Sequence, residues 1–407
     1  MTVTKPTKCT FLVLLALALA GSPLGAAGAA TDPAITVVGP YLQNPAADGM
    51  TVCFLGQGAA AVRVAMTAMG APAGPREIAA TGTAIPGTPW TVWKTRLKAL
   101  QPGAAYSYQV RYQMEGKEQA TPSCQFRTID PQAKSLHVIA FNDLHNRDAT
   151  LSALLRHVKP KDHEMSLLLG DCIADPTGKD GAREVIRAWN AYVTLLDGGS
   201  KPIVYVRGNH ETRGDFAGRL SCLFDLPNLD SGAKWGEDQW QFTLRAGPVC
   251  FLAMDTGEDD DDSTPVSSYK NPVLWQKVRA GQAAWLKQVN ADKIGRDAPW
   301  RVFLGHIPLY NSPYVSVRSR AMWAPLLHDF NPDLMLAGHD HTWRKTVPPT
   351  PDAPWPVLVG GGPAAQGGEE GTVMLLAADA NGLKLRLLGA RDGRELTAFT
   401  APKPPRP

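Results

Sequence analysis

The stretch HVIAFNDLH at residues 137–145 is an apolar run that ends directly in polar side chains. The same pattern returns further along the chain, as MSLLLGD at 165–171, IVYVRGNHE at 203–211, VFLGH at 302–306 and LMLAGHDH at 334–341. Short apolar runs that alternate with amphipathic helical segments are typical of an α/β layered domain. The sequence therefore predicts buried strands at His137–Phe141, Met165–Leu169, Ile203–Val206, Val302–Leu304 and Leu334–Ala337.

Polar residues follow each predicted strand at its carboxyl end. Ligands of open α/β sheets bind beyond the carboxyl ends of the strands, so these loops are expected to converge on one site. A glycine precedes every polar group except the first, and glycine lets the backbone turn sharply. Asp, His and Asn without cysteine suit divalent ions such as Mn, Fe or Zn better than a closed structural zinc site. The candidate metal ligands are Asp143, His145, Asp171, Asn209, His306, His339 and His341.

Each candidate ligand also has an ordinary structural interpretation. A single histidine at a strand end is more often a satisfied polar residue than a ligand, but a succession of such sites favours a metal centre. A buried structural cysteine is preferred over a thiolate ligand at Cys172. The histidines without a matching partner are interpreted as structural, namely His137, His157, His163 and His328.

The first thirty residues predict a signal peptide. Lys5 and Lys8 precede the apolar run from Phe11 to Ala20, and small residues follow it. A membrane-spanning helix needs about 20 apolar residues, so this run is too short for an anchor. We therefore expect cleavage near Ala29 or Ala30 and a secreted or periplasmic protein with no membrane span.

Neither charge nor cysteine content points to a macromolecular partner. The formal net charge is +3 and no cluster of Lys and Arg stands out, so there is no nucleic-acid-binding signal. The expected partner is a small-molecule substrate, and the oligomeric state stays open. Loss of Cys9 with the signal peptide leaves an odd number of cysteines, among which Cys53 and Cys124 form the first disulfide pair to test.

The region before the α/β domain shows short alternating stretches separated by Gly and Pro, such as Met50–Leu55, Val62–Met66 and Tyr106–Tyr112. This pattern is typical of a small all-β sandwich. The predicted organisation is a signal peptide at 1–30, a β-sandwich at 31–130, an α/β domain at 135–395 and a Pro-rich tail at 396–407. Within the α/β domain, further elements are predicted as a helix carrying Leu151, Leu154, Leu155 and Val158, helices at Gln282–Val289 and Ala321–His328, and strands at Trp355–Gly362, Val373–Ala378 and Leu383–Leu388.

In their order along the chain, the motifs Asp-x-His, Gly-Asp, Gly-Asn-His-Glu, His and Gly-His-x-His resemble the signature of the calcineurin-like metallophosphoesterase superfamily. The resemblance covers about residues 135–390 and implies central β-sheets flanked by helices around two metal ions. In this pattern Asp171 bridges both ions. The other implied ligands are Asp143, His145 and His341 for the first ion, and Asn209, His306 and His339 for the second.

The resemblance also implies the chemistry of phosphate ester hydrolysis. A water that bridges two ions becomes hydroxide near neutral pH and attacks phosphorus in line. His210 is expected to face the phosphate and to protonate the leaving group or stabilise the transition state, with Glu211 placed to orient its ring. Asp175 and Asp340 are candidate partners of the site histidines or ordinary loop carboxylates. Adjacency alone makes three residues candidates for shaping the substrate pocket: Arg213, Tyr310 and Trp343.

The stretches Gly39–Asn44 and Leu100–Gly103 resemble parts of the fibronectin-III-like N-terminal domain of purple acid phosphatases. Those enzymes place a tyrosine that binds ferric iron in their first motif region. Here Leu144 and His145 follow Asp143, so the colour of ferric tyrosinate is expected to be absent. The N-terminal resemblance favours phosphomonoesters as substrates.

Two other functions stay open. A phosphodiesterase uses the same metal core and differs in the groups that flank the scissile phosphate. A catalytically inactive, metal-bearing binding or adhesion protein is the alternative from another class. Retention of every implied ligand and of His210 argues against the inactive protein.

Overall fold

The structure of the chain is a computed structural model that describes residues 35–70, 74–178, 180–229, 239–258, 272–310, 312, 317–347 and 354–401. The predicted signal peptide at 1–30 lies outside the described residues, as do residues 402–407. Among the described helices, none combines the length and the apolar character that a membrane crossing needs.

Two antiparallel sheets form the N-terminal part of the structure and confirm the predicted sandwich. The strands run in the spatial orders β1-β2-β6-β5 and β4-β3-β7-β8, and β9 also pairs with β7. Tyr106, Tyr108 and Val110 alternate with more exposed residues along β7, as the two-residue period of a half-buried strand requires. They pack in one core with residues such as Phe54 and Phe126. The strands are β1 Val37–Gln43, β2 Met50–Gln57, β3 Ala60–Ala68, β4 Arg76–Ala79, β5 Thr81–Ala84, β6 Trp90–Leu97, β7 Ala105–Met114, β8 Lys117–Ala120 and β9 Cys124–Arg127.

Two six-stranded mixed sheets form the rest of the structure, with the orders β12-β11-β10-β19-β20-β21 and β13-β14-β15-β16-β18-β17. Strands β10 to β12 are parallel to one another, and so are β14, β15, β16 and β18. All five strands predicted to carry the site are present. The strands are β10 Ser135–Phe141, β11 Met165–Leu169, β12 Ile203–Val206, β13 Phe242–Ala246, β14 Val249–Ala253, β15 Trp300–Leu304, β16 Leu334–Ala337, β17 Arg344–Thr346, β18 Val357–Val359, β19 Thr372–Asp379, β20 Leu383–Gly389 and β21 Glu395–Ala401.

Helices cover these sheets with one apolar face each. The α-helices are α1 Asp148–Leu154, α2 Gly181–Leu195, α3 Pro272–Ala291 and α4 Val317–Phe330. Short 3-10 helices occur at Pro160–Asp162, His210–Thr212, Ala217–Leu223 and Ala364–Gln366. Leu286, Trp323 and Phe330 of α3 and α4 are fully buried in one core with β-strand residues such as Phe303 and Met335. Burial of such side chains, each worth about 1.5–3 kcal/mol, holds the helices against the sheet.

Three expectations are corrected. The helix predicted to reach Val158 ends at Leu154, because the N–H groups of Arg156 and His157 bond to the carbonyls three residues earlier, and the chain becomes extended at Lys159 before Pro160. Residues 396–401, assigned to the Pro-rich tail, belong to β21 and pair with β20, since the prolines begin only at residue 402. Cys53 and Cys124 are both free thiols, so the disulfide considered for them is not formed.

The sandwich docks on the second part of the structure through β1. Tyr41 is fully buried, and its hydroxyl donates to the carbonyl oxygen of Leu223 at 2.7 Å. Its ring meets the ring of Trp189 on α2 edge-on, with centroids 5.3 Å apart. The backbone N–H of Leu42 donates to the carbonyl of Gly198 at 2.8 Å. The sandwich is therefore attached through a buried aromatic contact and through hydrogen bonds that satisfy backbone polar groups.

We expect Tyr41→Ala to lower the free energy of unfolding by about 3–5 kcal/mol, the usual cost of deleting a large buried aromatic ring. Tyr41→Phe is the matched control, because it keeps the ring and removes only the hydrogen bond to Leu223, which costs about 1 kcal/mol. Urea unfolding of the three proteins measures both differences. Equal stability of Tyr41→Ala and the native protein would show that this contact does not hold the sandwich.

Candidate metal centre

The carboxyl ends of β10, β11, β12, β15 and β16 bring the predicted ligands together. The loops after β10 and β11 lie side by side, since the backbone N–H of Asp143 donates to the carbonyl of Gly170 at 3.0 Å. The N–H of His145 donates likewise to the carbonyl of Asp171 at 2.9 Å. Parallel strands direct their loops to one edge within each sheet, and the loops after β10, β11 and β12 of one sheet meet those after β15 and β16 of the other.

A first cluster contains Asp143, His145, Asp171 and His341, whose ligand atoms all lie within 4.8 Å of one another. The Nε2 atoms of His145 and His341 are 3.1 Å apart. Asp143 Oδ1 lies 3.4 Å from His341 Nε2. These are the residues that the motif resemblance gives to the first ion, together with the bridging Asp171.

A second cluster contains Asp171, His306 and His339. His306 Nε2 is 3.0 Å from Asp171 Oδ2, and its Nδ1 faces the carbonyl oxygen of Leu169 at 2.8 Å. That backbone contact leaves Nε2 directed at the cluster, as second-shell contacts do for metal-ligating histidines. Asn209 Oδ1 joins the cluster at 3.0 Å from His339 Nδ1. Asp171 is the one residue that both clusters share.

The donor set fits a pair of cations. Asp143 Oδ1 is buried and accepts no hydrogen bond from the described residues, although a buried carboxylate oxygen is costly when unpaired. The Asn209 amide lies within 3.0–3.2 Å of His306 Nε2, Asp171 Oδ2 and His339 Nδ1. Its nitrogen would donate to these atoms, whereas its oxygen would join them as a further ligand. A bound cation would select the oxygen-inward orientation and would give the Asp143 oxygen a partner.

The protonation of the histidines depends on their surroundings. Burial lowers the pKa of both His145 and His339 to about 4, so these imidazoles are neutral near pH 7, the form that binds a cation. Burial also lowers the pKa of His306, but the charge of Asp171 outweighs it and raises that pKa to about 10. A cation that binds His306 has to displace this proton, because metal ligation needs the neutral ring.

The backbone of the site has unusual φ angles that the sequence motifs do not reveal. Asp143, His145, Asp171, His339 and His341 all have positive φ, between 46° and 77°. Positive φ is uncommon outside glycine, and such residues cluster at functional sites. This conformation turns the side chains of neighbouring loops toward a common point.

Two motif glycines are required by close packing rather than by turn geometry alone. A Cβ atom on Gly170 would lie 2.5 Å from the His306 ring. One on Gly208 would lie 2.3 Å from Asp171 Oδ1. Any side chain at these positions would displace a candidate ligand, which explains why glycine precedes the polar residues in these motifs.

His210 lies beside the two clusters and belongs to neither. Its Nδ1 is 2.6 Å from Asp175 Oδ1, and its Nε2 is 3.8 Å from Asp171 Oδ2. Burial lowers the pKa of His210, but the charge of Asp171 and the contact with Asp175 outweigh it and raise that pKa to about 9. A quarter of the His210 side chain is exposed, at 25%, so one edge of the ring remains accessible from outside.

Asp175, and not Glu211, holds the His210 ring, which corrects the predicted role of Glu211. The Glu211 carboxylate is fully buried, and hydrogen-bond donors other than the His210 ring surround it. Its oxygens accept hydrogen bonds from three backbone N–H groups, those of Asp171 at 3.0 Å, Ile173 at 2.9 Å and Gly208 at 2.8 Å. They also accept one from the hydroxyl of Tyr205 at 2.5 Å. Glu211 therefore ties the loop that carries Asp171 to the loop that carries Asn209 and His210.

We expect Glu211→Gln to weaken metal binding by about 10- to 100-fold, the usual effect of losing a residue that positions metal ligands. The amide nitrogen of glutamine would face backbone N–H donors and push the two loops apart. Equilibrium dialysis with Mn²⁺ or Zn²⁺ measures the affinity, and Glu164→Gln, an exposed carboxylate that accepts from the His137 N–H, is the matched control. Native affinity in Glu211→Gln would exclude this positioning role.

The other candidate residues from the sequence make contacts of their own. Asp340 is tied to Ser312 Oγ at 2.5 Å and faces Arg344, so it links two loops of the site. Tyr310 packs edge-on against Trp355, within a hydrophobic core. Burial raises the pKa of the Cys172 thiol, as expected of a structural cysteine. His137, His157, His163 and His328 belong to neither cluster.

Comparisons with known proteins bear on the family and the fold of the chain. The family model described as calcineurin-like phosphoesterase matches residues 136–343, about half of the chain. No curated protein matches the chain in sequence. The purple acid phosphatase PPD1 from yellow lupin seeds has a similar structure, with a TM-score of 0.71 at 16% identity, over 91% of this chain and 75% of that chain. At this identity the similarity shows a common fold.

Two bacterial structures match less closely. The phosphoesterase Yfce from E. coli has a TM-score of 0.32 at 12% identity, over 65% of this chain and 98% of that chain. The calcineurin-like phosphoesterase YfkN from Bacillus subtilis has a TM-score of 0.36 at 12% identity, over 66% of this chain and 90% of that chain.

Proposed function

Because the chain belongs to the calcineurin-like phosphoesterase family, whose members are metal-dependent phosphoesterases, we propose that it hydrolyses phosphomonoesters at the centre around Asp171. The observation that carries this proposal is that Asp171 lies in both clusters of ligand atoms. A carboxylate shared in this way can hold two cations close together and reduce their mutual repulsion.

Each of the two clusters is proposed to bind one ion. Asp143, His145 and His341 surround the first position, and Asn209, His306 and His339 the second, with Asp171 between them. The mixture of carboxylate, amide and imidazole donors suits Mn, Fe or Zn. When bound, such a pair of ions supplies a nucleophile from water near neutral pH and neutralises the phosphoryl oxygens.

The chain's own contribution to proton transfer is proposed to come from His210. Its Nδ1 is engaged by Asp175, which fixes the ring and leaves Nε2 facing the site, 3.8 Å from Asp171 Oδ2. A protonated Nε2 can deliver a proton to the leaving oxygen of the ester. Asp175 serves as the positioning residue that keeps the ring in this orientation and favours its charged form.

The preference for monoesters rests on two supports. The yellow lupin neighbour is named an acid phosphatase, and its similarity extends over most of this chain, including the sandwich. The N-terminal motifs resemble the same group of enzymes. A phosphodiesterase with the same metal core is the second candidate, because its chemistry needs the same ions and the same His210.

The test is hydrolysis of p-nitrophenyl phosphate and bis-p-nitrophenyl phosphate by protein that has been stripped with a chelator and then reloaded separately with Mn²⁺, Zn²⁺ or Fe²⁺. We expect activity that returns with metal, with a higher kcat/KM for the monoester. A higher kcat/KM for the diester would favour the phosphodiesterase. Absence of activity with every metal, in protein that retains two ions, would favour the inactive binding protein.

A further inference from the structure

Arg213 is a buried cation three residues after His210. Its side chain is only 8% exposed, and it forms a two-point ion pair with the fully buried carboxylate of Glu258. Nε lies 2.9 Å from Glu258 Oε2, and Nη2 lies 2.6 Å from Glu258 Oε1. A paired carboxylate of this kind fixes the planar guanidinium in one orientation.

The remaining guanidinium nitrogen points at His210. Arg213 Nη1 lies 3.3 Å from His210 Nε2, which is the ring nitrogen that Asp175 does not engage. An arginine nitrogen can only donate, so an oxygen atom placed beside the His210 ring can accept a hydrogen bond from Arg213 Nη1 at about 2.8 Å, the usual length of a charge-assisted hydrogen bond.

A second buried arginine shows what a purely structural arrangement looks like in this chain. Arg207 pairs with Asp255, and both side chains are 1% exposed. Its guanidinium lies over the ring of Trp240, 4.7 Å from the centroid. Arg213 has the same kind of carboxylate support and in addition contacts His210.

We propose that Arg213 Nη1 binds a non-bridging oxygen of the scissile phosphate beside His210 and thereby selects phosphomonoesters over diesters. This inference rests on the proposed function. A monoester carries three non-bridging oxygens and nearly two negative charges near neutral pH, whereas a diester has two such oxygens and one charge. A donor that requires the additional oxygen therefore binds the monoester more strongly.

The Arg213 side chain is also arranged to favour the transition state. Glu258 fixes Arg213 before the substrate arrives, so little reorganisation is needed when charge develops on the phosphoryl oxygens. Arg213 cannot lose its proton, and its charge is present at every working pH. In this arrangement Arg213 is a catalytic residue that touches the substrate, and Glu258 is the residue that positions it.

The test compares kcat/KM for p-nitrophenyl phosphate and bis-p-nitrophenyl phosphate in native protein, Arg213→Gln, Arg213→Lys and Glu258→Gln. We expect Arg213→Gln to lose about 10- to 150-fold on the monoester, the range for one hydrogen bond to a charged group. The loss on the diester should be smaller, so the monoester-to-diester ratio falls about tenfold. Arg213→Lys keeps the charge beside Glu258 but lacks the planar guanidinium with its several donors. Its monoester-to-diester ratio should therefore also fall.

Two further measurements separate substrate binding from loss of structure. Calorimetric titration with inorganic phosphate should show weaker binding in Arg213→Gln, while metal content stays at the native value. Arg219→Gln is the matched control, since Arg219 lies on the next helical segment and bonds the carbonyls of Pro86 and Asp215. Its monoester-to-diester ratio should equal that of the native protein.

Equal losses on monoester and diester in Arg213→Gln and Arg213→Lys, with native phosphate binding, would overturn the inference while leaving the proposed function intact. If Arg213→Gln does not fold, the ratio measured for Arg213→Lys decides the question. An inactive native protein would instead contradict the proposed function, and the inference would fall with it.

Discussion

Asp171→Asn is expected to lower kcat/KM by about 10⁴-fold or more and to release at least one of the two ions. Asp171 is the only residue that both clusters of described ligand atoms share, and its Oδ2 lies 3.0 Å from His306 Nε2. Asparagine has nearly the same shape but carries no charge, so the negative charge between two neighbouring cations would be lost and their repulsion would rise. Loss of metal removes several kcal/mol of transition-state stabilisation, and each 1.36 kcal/mol is tenfold in rate.

Metal content by atomic emission, measured on the same preparations as the rates, checks both parts of this expectation. Asp162→Asn, on the exposed turn Pro160–Asp162, is the matched control and should behave as the native protein does. Asp171 also accepts a hydrogen bond from the His210 N–H at 2.9 Å, so unfolding by urea should be compared in parallel. A fully active Asp171→Asn protein with two ions would rule out the bridging role.

His210→Ala is expected to keep its metal and to lose rate by about 10²- to 10⁴-fold, the usual contribution of a general acid. His210 lies outside both clusters, which is why the ions should stay in place. The loss should be largest for alkyl phosphates, whose alkoxide leaving groups need a proton. It should be smaller for p-nitrophenyl phosphate, because p-nitrophenolate is already a stable anion.

The partner of His210 provides a graded version of the same experiment. Asp175→Asn removes the carboxylate 2.6 Å from His210 Nδ1 and leaves the ring itself in place. Its loss of rate should be smaller than that of His210→Ala and should show the same dependence on the leaving group. His163→Ala, outside both clusters, is the matched control. Equal losses on both substrates would indicate charge stabilisation without proton donation, and loss of metal would make His210 a ligand.

The sequence by itself was sufficient to predict the strands and the polar residues after them. Met165–Leu169, Ile203–Val206 and Leu334–Ala337 have the predicted bounds. These strands are buried along their whole length, so their sequences are continuous apolar runs. The polar residues then mark where each strand leaves the core, and all seven candidate ligands lie in or beside the two clusters.

Two elements were not predicted. Helix α2 over Gly181–Leu195 has a clear helical period, with Val185, Ile186 and Trp189 among its buried residues, so the sequence did carry a signal for it. The edge strand β21 is exposed or half-exposed up to its last residue, and it is defined by its pairing with β20. Propensity is a weak guide where tertiary pairing supplies most of the stability.

What the sequence determined by itself was which residue types end the strands and in which order, because burial and backbone geometry act locally on each run. What only the tertiary structure decided was which side chains face one another. His210 and Asp175 are 35 residues apart, and Arg213 and Glu258 are 45 apart. Glu211 is adjacent to His210 in sequence but points into the donors of the Asp171 loop. Such pairings depend on how separate loops pack at the ends of the strands, because the two partners lie on different loops that are distant in sequence.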